Sequence, residues 1–273
     1  IQQKVGDWYG ENYLPEVRRL LGREINVSDY LPVGNAANYL QYHYIVTNPQ
    51  PAARRRLLND AGDGSAYSAA HAIYHPLMRE AATTVGFFDF MLADVRTGRI
   101  VYGMSKELDF GILLRRAAFR DTNLAAAIAR CSGSVDRSTP RLEDFAPYLP
   151  SGGQAISFMA APVIDDGKVT GVLIAQLSID EIDRVVTGNR RWRQEGFGNT
   201  GEAYIIGPDF KVRSGGRLFY EDRERYFARL AAIGDPADEI AAIRRYDSPV
   251  LHQRDRKSTR LNSSHTDISR MPS

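Results

Sequence analysis

Twice along this chain a short apolar strand runs into a tight turn and returns as a second strand. The copies are FFDFMLADVRTGRIVYGMS at residues 87–105 and EAYIIGPDFKVRS at residues 202–214. Apolar runs on either side of a turn containing Gly, Pro or Asp specify antiparallel hairpins. A hairpin cannot bury an apolar face by itself, so each copy demands elements that cover it. A third strand pair lies between them, residues 156–164 and 169–177 around Asp165-Asp166-Gly167, and both its strands are nearly continuous apolar runs. That pattern is expected of strands covered on both faces. Neither copy of the repeat is introduced by a catalytic motif, so the duplication points to ligand sensing and not to chemistry.

Helices precede and separate the strands. Trp8, Tyr13, Val17, Leu20 and Leu21 recur at helical spacing over residues 5–21, with Gly22 as the stop. A second helix is expected over residues 36–46, ending before Asn48-Pro49. Ser65 can cap a third that passes Tyr67, His71 and Tyr74, is kinked or restarted at Pro76, and continues to Thr84. A helix is expected near residues 122–129, a Pro/Gly-containing loop over 140–153, and a capping box at Ser178 and Glu181 opening a helix that stops at Gly188. The fold class is α+β: N-terminal helices followed by two antiparallel-sheet units, the second truncated. The expected domains are a helical region 1–86, a first sheet unit 87–188, a junction 189–201, a partial second unit 202–254 and a tail 255–273.

No apolar run approaches the roughly 18 residues of a membrane span, and residues 1–11 lack the apolar block of a signal peptide. The chain opens on Ile1 in place of Met, as a segment cut from a longer protein would. Cys131 is the only cysteine, which excludes an intrachain disulfide and a Cys-based zinc site. From Asp255 the sequence becomes DRKSTRLNSSHTDISRMPS, almost without apolar content. This string resembles the conceptual translation of a sequencing adapter, and the true protein is expected to continue differently after about Arg254. It holds four basic and two acidic residues, and without it the basic and acidic counts are equal. No electrostatic case for nucleic acid then survives.

Several motifs have plainer explanations than their chemistry. Gly196, Gly198 and Gly201 spell G-x-G-x-x-G, but NRRWRQE precedes and strand-like EAYII follows, the inverse of a dinucleotide site, so they read as a junction. His71 and His75 have metal-ligand spacing, yet Ala72 stands where a zincin needs Glu, and packing or hydrogen bonding is the expected role. Residues 60–64 resemble a calcium loop without its closing Glu, and turn chemistry suffices. Arg190, Arg191, Trp192 and Arg193 read as a solvated linker. At the exit of the first hairpin, alternation puts Tyr102 and Met104 on one face with Lys106 beyond, and Phe87, Asp89 and Met91 on one face of the partner strand. Where those faces coincide, Asp89, Tyr102 and Lys106, with Asp109 just beyond and Tyr74 on the preceding helix, form a candidate ligand site. The alternative is that these charges pair with one another at the sheet rim. No catalytic residue, metal site or cofactor is expected.

The stretches LQYHYIVTNPQP (40–51), DAGDGSAYSAAHAIYHP (60–76), FFDFMLADVRTGRIVYGMSKELDF (87–110), DFAPYLPS (144–151), FMAAPVID (158–165) and GFGNTGEAYIIGPDFKVRSGGRLFYED (196–222) resemble the double Cache sensor domains of bacterial transmembrane receptors. The resemblance implies two PAS-like units on a long N-terminal helix, lying outside the inner membrane in the periplasm, with flanking spans and a cytoplasmic output. It also implies a small-molecule ligand in the membrane-distal unit and a homodimer through the N-terminal helices. The junction and Tyr220-Glu221-Asp222 look most like receptors ending in an adenylate or guanylate cyclase, with chemotaxis receptors and histidine kinases as alternatives. The Tyr/Arg/Trp signature of amino-acid-binding members is missing, which argues against an amino-acid ligand. A reading of another class is a metal-dependent enzyme built on His71 and His75.

Overall fold

The computed structural model describes residues 1–133 and 139–255. Of the expected tail only Asp255 falls within that span, and its backbone N–H donates to the Phe210 carbonyl at 2.8 Å. The chain divides into two compact units, Ile1–Ser178 and a second from Ile179 onward.

The first unit opens on two helices in place of the single one expected, α1 (Gln2–Asn12) and α2 (Leu14–Leu21). Pro15 sits in the first turn of α2, where its missing N–H costs nothing, and so marks a restart at Tyr13. Gly22 ends α2 in the left-handed conformation (φ 63°), its N–H on the Arg18 carbonyl. Val5, Tyr9, Tyr13, Leu14 and Val17 form an apolar face that buries against Tyr30, Ile45 and Leu108. Helix α3 (Asn35–Gln41) runs into a π-helical turn, Tyr42–Val46, and a 3-10 turn follows at Ala52–Leu57. Helix α4 (Ala66–Val85) is capped by Ser65, whose Oγ accepts from the Ser68 N–H at 3.0 Å. It passes through Pro76 without restarting and buries one stripe, Ser68, His71, His75 and Ala82.

The two hairpins of this unit join in one antiparallel sheet: β1 (Asp89–Asp94), β2 (Arg99–Gly103), β3 (Arg141–Tyr148), β4 (Gln154–Asp165) and β5 (Lys168–Ser178), in the order β2-β1-β5-β4-β3. The join is β1 against β5, with Asp89 opposite Gln176, Met91 opposite Ile174 and Ala93 opposite Val172. Strand β3 occupies part of what reads as a loop. Its RLED start hides the alternation, and Pro147 is tolerated because β3 is an edge strand. One sheet face, carrying Met91, Ala93, Phe158, Ala160, Val172 and Ile174, packs against Ile112, Phe119 and helix α5 (Asn123–Gly133) through Leu124, Ala127 and Ile128. Cys131 is buried there, its thiol directed at the Ala160 carbonyl at 3.2 Å.

The second unit contains α6 (Ile179–Val186), α7 (Arg217–Glu221), α8 (Arg223–Ala232) and α9 (Ala237–Tyr246). Its core is Phe219, Tyr226, Leu230 and Ile243. The second copy of the hairpin does not become a strand pair. Among the described residues it makes one bridge, Ile206 to Val212, and Lys211 bridges instead to Arg254. The two arms share backbone bonds from the Gly207 N–H to the Lys211 carbonyl at 2.9 Å and from the Arg213 N–H to the Ile205 carbonyl at 2.7 Å, while the Ile205 N–H turns to Ser214 Oγ at 2.8 Å. Pro208 removes a further donor. The run at 190–193 is not a solvated linker throughout, because Trp192 is buried and stacks with Tyr220, while Arg190 lies 3.9 Å over the Tyr220 ring. Gly196 and Gly198 take left-handed turn conformations.

Phe158 is fully buried at the centre of the sheet and meets the Tyr148 ring edge-on at 5.0 Å. Phe158→Ala should therefore cost about 3–5 kcal/mol in chemical denaturation, whereas Leu142→Ala, on the exposed side of β3, should cost under about 1 kcal/mol.

Candidate functional site

The sheet register separates the residues that alternation suggested might meet. Met91 lies opposite Gly103 and Leu92 opposite Tyr102, so Asp89 and Met91 share one face and Tyr102 takes the other. Tyr74 belongs to neither group, since its side chain is exposed on α4. Lys106, Glu107 and Asp109 follow β2 on a segment that turns sharply. Lys106 has a left-handed backbone (φ 55°), a conformation that disfavours side chains with a Cβ. The reversal sends Lys106 towards α4 and the two acids towards β3 and the turn after it.

On the α4 side, His71 and His75 stack with ring centroids 4.4 Å apart. His71 Nδ1 lies 2.6 Å from the Asn59 carbonyl. His75 Nε2 approaches the Arg56 carbonyl to 2.7 Å, and Nδ1 approaches the Tyr102 hydroxyl to 2.7 Å. The carbonyl requires the ring proton on Nε2, so Nδ1 accepts from Tyr102. Lys106 Nζ sits 3.2 Å from the same Nε2 and donates to the Met104 carbonyl at 3.2 Å. It thus faces a ring proton, an arrangement that suits a neutral amine and not an ammonium. Burial lowers the Lys106 pKa from 10.5 to about 7, against the opposing pull of Asp89. Burial, with Lys106 next, also lowers His71 to about 4 and His75 to about 3. Both imidazoles are neutral at pH 7. Among the described residues no three His, Cys, Asp or Glu side chains converge as a metal site. The loop at 60–64 is turn chemistry: Asp60 Oδ1 accepts the Gly62 N–H, and Asp63 accepts from the Ser65 N–H and Tyr39 hydroxyl.

On the opposite face the polar groups are acids and amides. Asp89, fully buried, takes the Ser105 N–H on Oδ1 at 2.9 Å, while Oδ2 has no partner. Gln176, its cross-strand neighbour, donates to Ser151 Oγ at 3.0 Å, and Ser151 donates to Glu107 at 2.6 Å. Asp109 accepts from the Tyr148 hydroxyl at 2.6 Å on Oδ2, and Oδ1 is open. Gln41 of α3 donates to the Leu108 and Phe110 carbonyls at 3.1 and 2.5 Å. Burial first, then the neighbouring acids, raise Asp89 well above its usual range. Burial raises Glu107 and Asp109 as well, Glu107 being pushed further by Asp109. A cleft of about 580 Å³ reaches this region, lined among others by Tyr13, Arg55, Lys106, Glu107, Leu149 and Pro150. The candidate set therefore divides: Asp89 and Asp109 stay together, joined by Glu107 and Gln176, while Lys106 and Tyr102 meet at His75. Rim pairing is not what these charges do, as neither Asp89 nor Lys106 makes an ion pair among the described residues.

No protein-family model matches the chain, and no curated protein does. Solved structures similar to it include the ligand-binding domain of the Pseudomonas fluorescens chemoreceptor CtaA in complex with L-alanine (18% identity, TM-score 0.36, 63% of this chain and 60% of that one). The Vibrio cholerae histidine kinase DctB sensor domain aligns at 16% identity and TM-score 0.32, over 67% of this chain and 59% of that one. The Campylobacter jejuni chemoreceptor Tlp3 ligand-binding domain, solved with 4-methylisoleucine, aligns at 11% identity and TM-score 0.36, over 78% and 64%. The chain spans less than two thirds of the length of these three domains.

Lys106 gives the site a pH signature. Between pH 7 and 9 the unfolded chain binds a proton on this lysine that the folded chain does not, so its contribution to stability rises with pH. Across that window the gain should approach about 2.5 kcal/mol. Lys106→Met has no proton to bind in either state, and urea denaturation at pH 7 and pH 9 should show this component lost.

Proposed function

We propose that the chain is an extracytoplasmic ligand-binding input domain of a bacterial transmembrane receptor of the chemotaxis or histidine-kinase type. The observation that carries the reading is the buried polar end of the first unit's sheet. There, Asp89 Oδ2, Asp109 Oδ1, Gln176 Oε1 and Gln41 Oε1 lack partners, and Glu107, linked to Gln176 through Ser151, lines a cleft of about 580 Å³. Buried polar atoms are normally satisfied, and several open ones in one place mark a site built for something else to fill. The sequence resemblance to double Cache sensors supports the same reading. No helix among the described residues is long and apolar enough to cross a membrane, so attachment would lie in segments flanking this one. Signalling needs only that the ligand favour one arrangement of the unit over another, with the N-terminal helices, which pack on Leu108 beside the site, carrying the difference outward. The cyclase output expected from the junction gains no support from the similar structures.

A thermal-shift screen of small metabolites against the chain should find a compound that, at about a hundred times its Kd, raises Tm by about 5 °C. Glu107→Ala should abolish that shift, and Tyr74→Ala should leave it intact. A shift insensitive to Glu107 would place the ligand elsewhere. The receptor reading is checked on the full coding sequence, which should encode hydrophobic spans flanking this segment. A complete reading frame with no such span would count against it.

A further inference from the structure

The buried end of the site has a surplus of unpartnered oxygens. Four oxygens, on Asp89, Asp109, Gln176 and Gln41, are buried without a donor. The open groups near them that carry a proton are Tyr13 Oη and Arg55 Nε. The amides are independent of the acidic cluster. Gln176 and Gln41 are fully buried, each anchored through its NH₂ group so that its oxygen is the unfilled end. Gln176 also stands directly opposite Asp89 on the strand pair. An anion would meet three neighbouring acids, Asp89, Glu107 and Asp109, and a neutral apolar molecule would leave every open oxygen without a partner.

We propose, resting on the ligand-binding reading above, that this end of the site takes the protonated amine of a small organic cation, whose N–H donors fill the open oxygens of Asp89, Asp109 and Gln176. Lys106 does not fill that role, because its Nζ is turned to His75 and the Met104 carbonyl. Arg55 lines the cleft with its guanidinium 5.2 Å over the Trp8 ring.

Binding should also release protons. The charged and titratable groups facing the three acids are Tyr9 from α1, Tyr13 at the break between α1 and α2, Arg55 from the 3-10 turn, Tyr102 from β2, Lys106 from the strand exit, and Tyr148 from β3. Burial and mutual repulsion among Asp89, Glu107 and Asp109 hold protons on this group in the empty site. An arriving ammonium favours the ionised forms, so protons leave as it enters.

The test is isothermal titration of the 273-residue chain with n-propylamine and 1,4-diaminobutane, against propionate and succinate. Each titration is run at pH 7 in two buffers of different ionisation heat. An amine should bind and the carboxylates should not, and the heat should differ between buffers by the equivalent of about one released proton. Asp89→Asn and Glu107→Gln should each weaken the amine at least tenfold while leaving the empty domain equally or more stable, which loss of folding could not produce. Binding of a carboxylate in preference to both amines, or no amine binding, overturns the amine assignment. In the first case the sensor reading stands where Glu107→Ala abolishes the carboxylate's binding, and fails with the amine assignment where it does not. Amine binding unchanged in both variants overturns the assignment as well.

Discussion

The pairing of β1 with β5 is the contact on which the rest of the first unit depends. The two strands lie some eighty residues apart in sequence, and without them the unit is two separate hairpins, each with an uncovered face. Their antiparallel register, Asp89 to Gln176 through Asp94 to Gly171, makes one sheet and gives α5 a continuous apolar surface to cover. The same register sets the polar end. A slip of one residue would carry Asp89 to the α4 face and put Phe90 in its place. Core and site are thus consequences of a single alignment. The apolar end, Met91, Ala93, Ile174 and Val172, supplies the burial that lets the polar end remain unsatisfied.

The left-handed turn at Lys106 then divides the charges. A lysine and two acids within four residues would ordinarily neutralise one another at a strand end, and here they do not. Lys106 is drawn to a histidine pair that is itself uncharged, and the acids are tied to Ser151 and Tyr148. Separation raises the acids and lowers the lysine, each group being taken from water without an ion-pair partner. A left-handed backbone at a lysine and titratable groups held towards their neutral forms by burial are costs that a purely structural unit would shed, and they cluster here as they do at functional sites.

Much of this could be read from the chain. The hairpins at 89–103 and 154–178, the Ser65 cap and the Gly22 stop follow from local patterns that tertiary packing reinforces. Strand β3 was hidden because an edge strand needs only half an apolar pattern and tolerates Pro147. The second hairpin copy misled for the opposite reason. Its apolar residues fit a strand, but among the described residues its arms make one isolated bridge, and Ser214 Oγ takes the Ile205 N–H. At the site, Asp89 and Asp109 were legible as acids beside a strand end, whereas the face of Tyr102 depended on which residue β1 placed opposite it. Gln176 left a weaker trace, a lone amide in an otherwise apolar run (VLIAQLS), and Gln41, which shares its stretch AANYLQY with Asn38, a weaker one still. A single polar residue inside a buried strand has to find a partner, and that requirement was the available signal.

A buried carboxylate alone does not make a site, and the second unit shows the difference. Asp183 is also buried and its pKa is also raised by burial, yet Oδ1 accepts the Gly215 N–H and Oδ2 the Tyr220 hydroxyl. Both oxygens are filled from within the fold, as in an acid that joins segments. Asp89 has one oxygen filled and one open, faces Gln176 whose oxygen is open as well, and shares its surroundings with two further raised acids. The fold spends a backbone N–H on orienting the Asp89 carboxylate and then supplies nothing for its second oxygen. Orientation without satisfaction is what a binding group requires, because a donor from the protein would have to be displaced before one from a ligand could take its place.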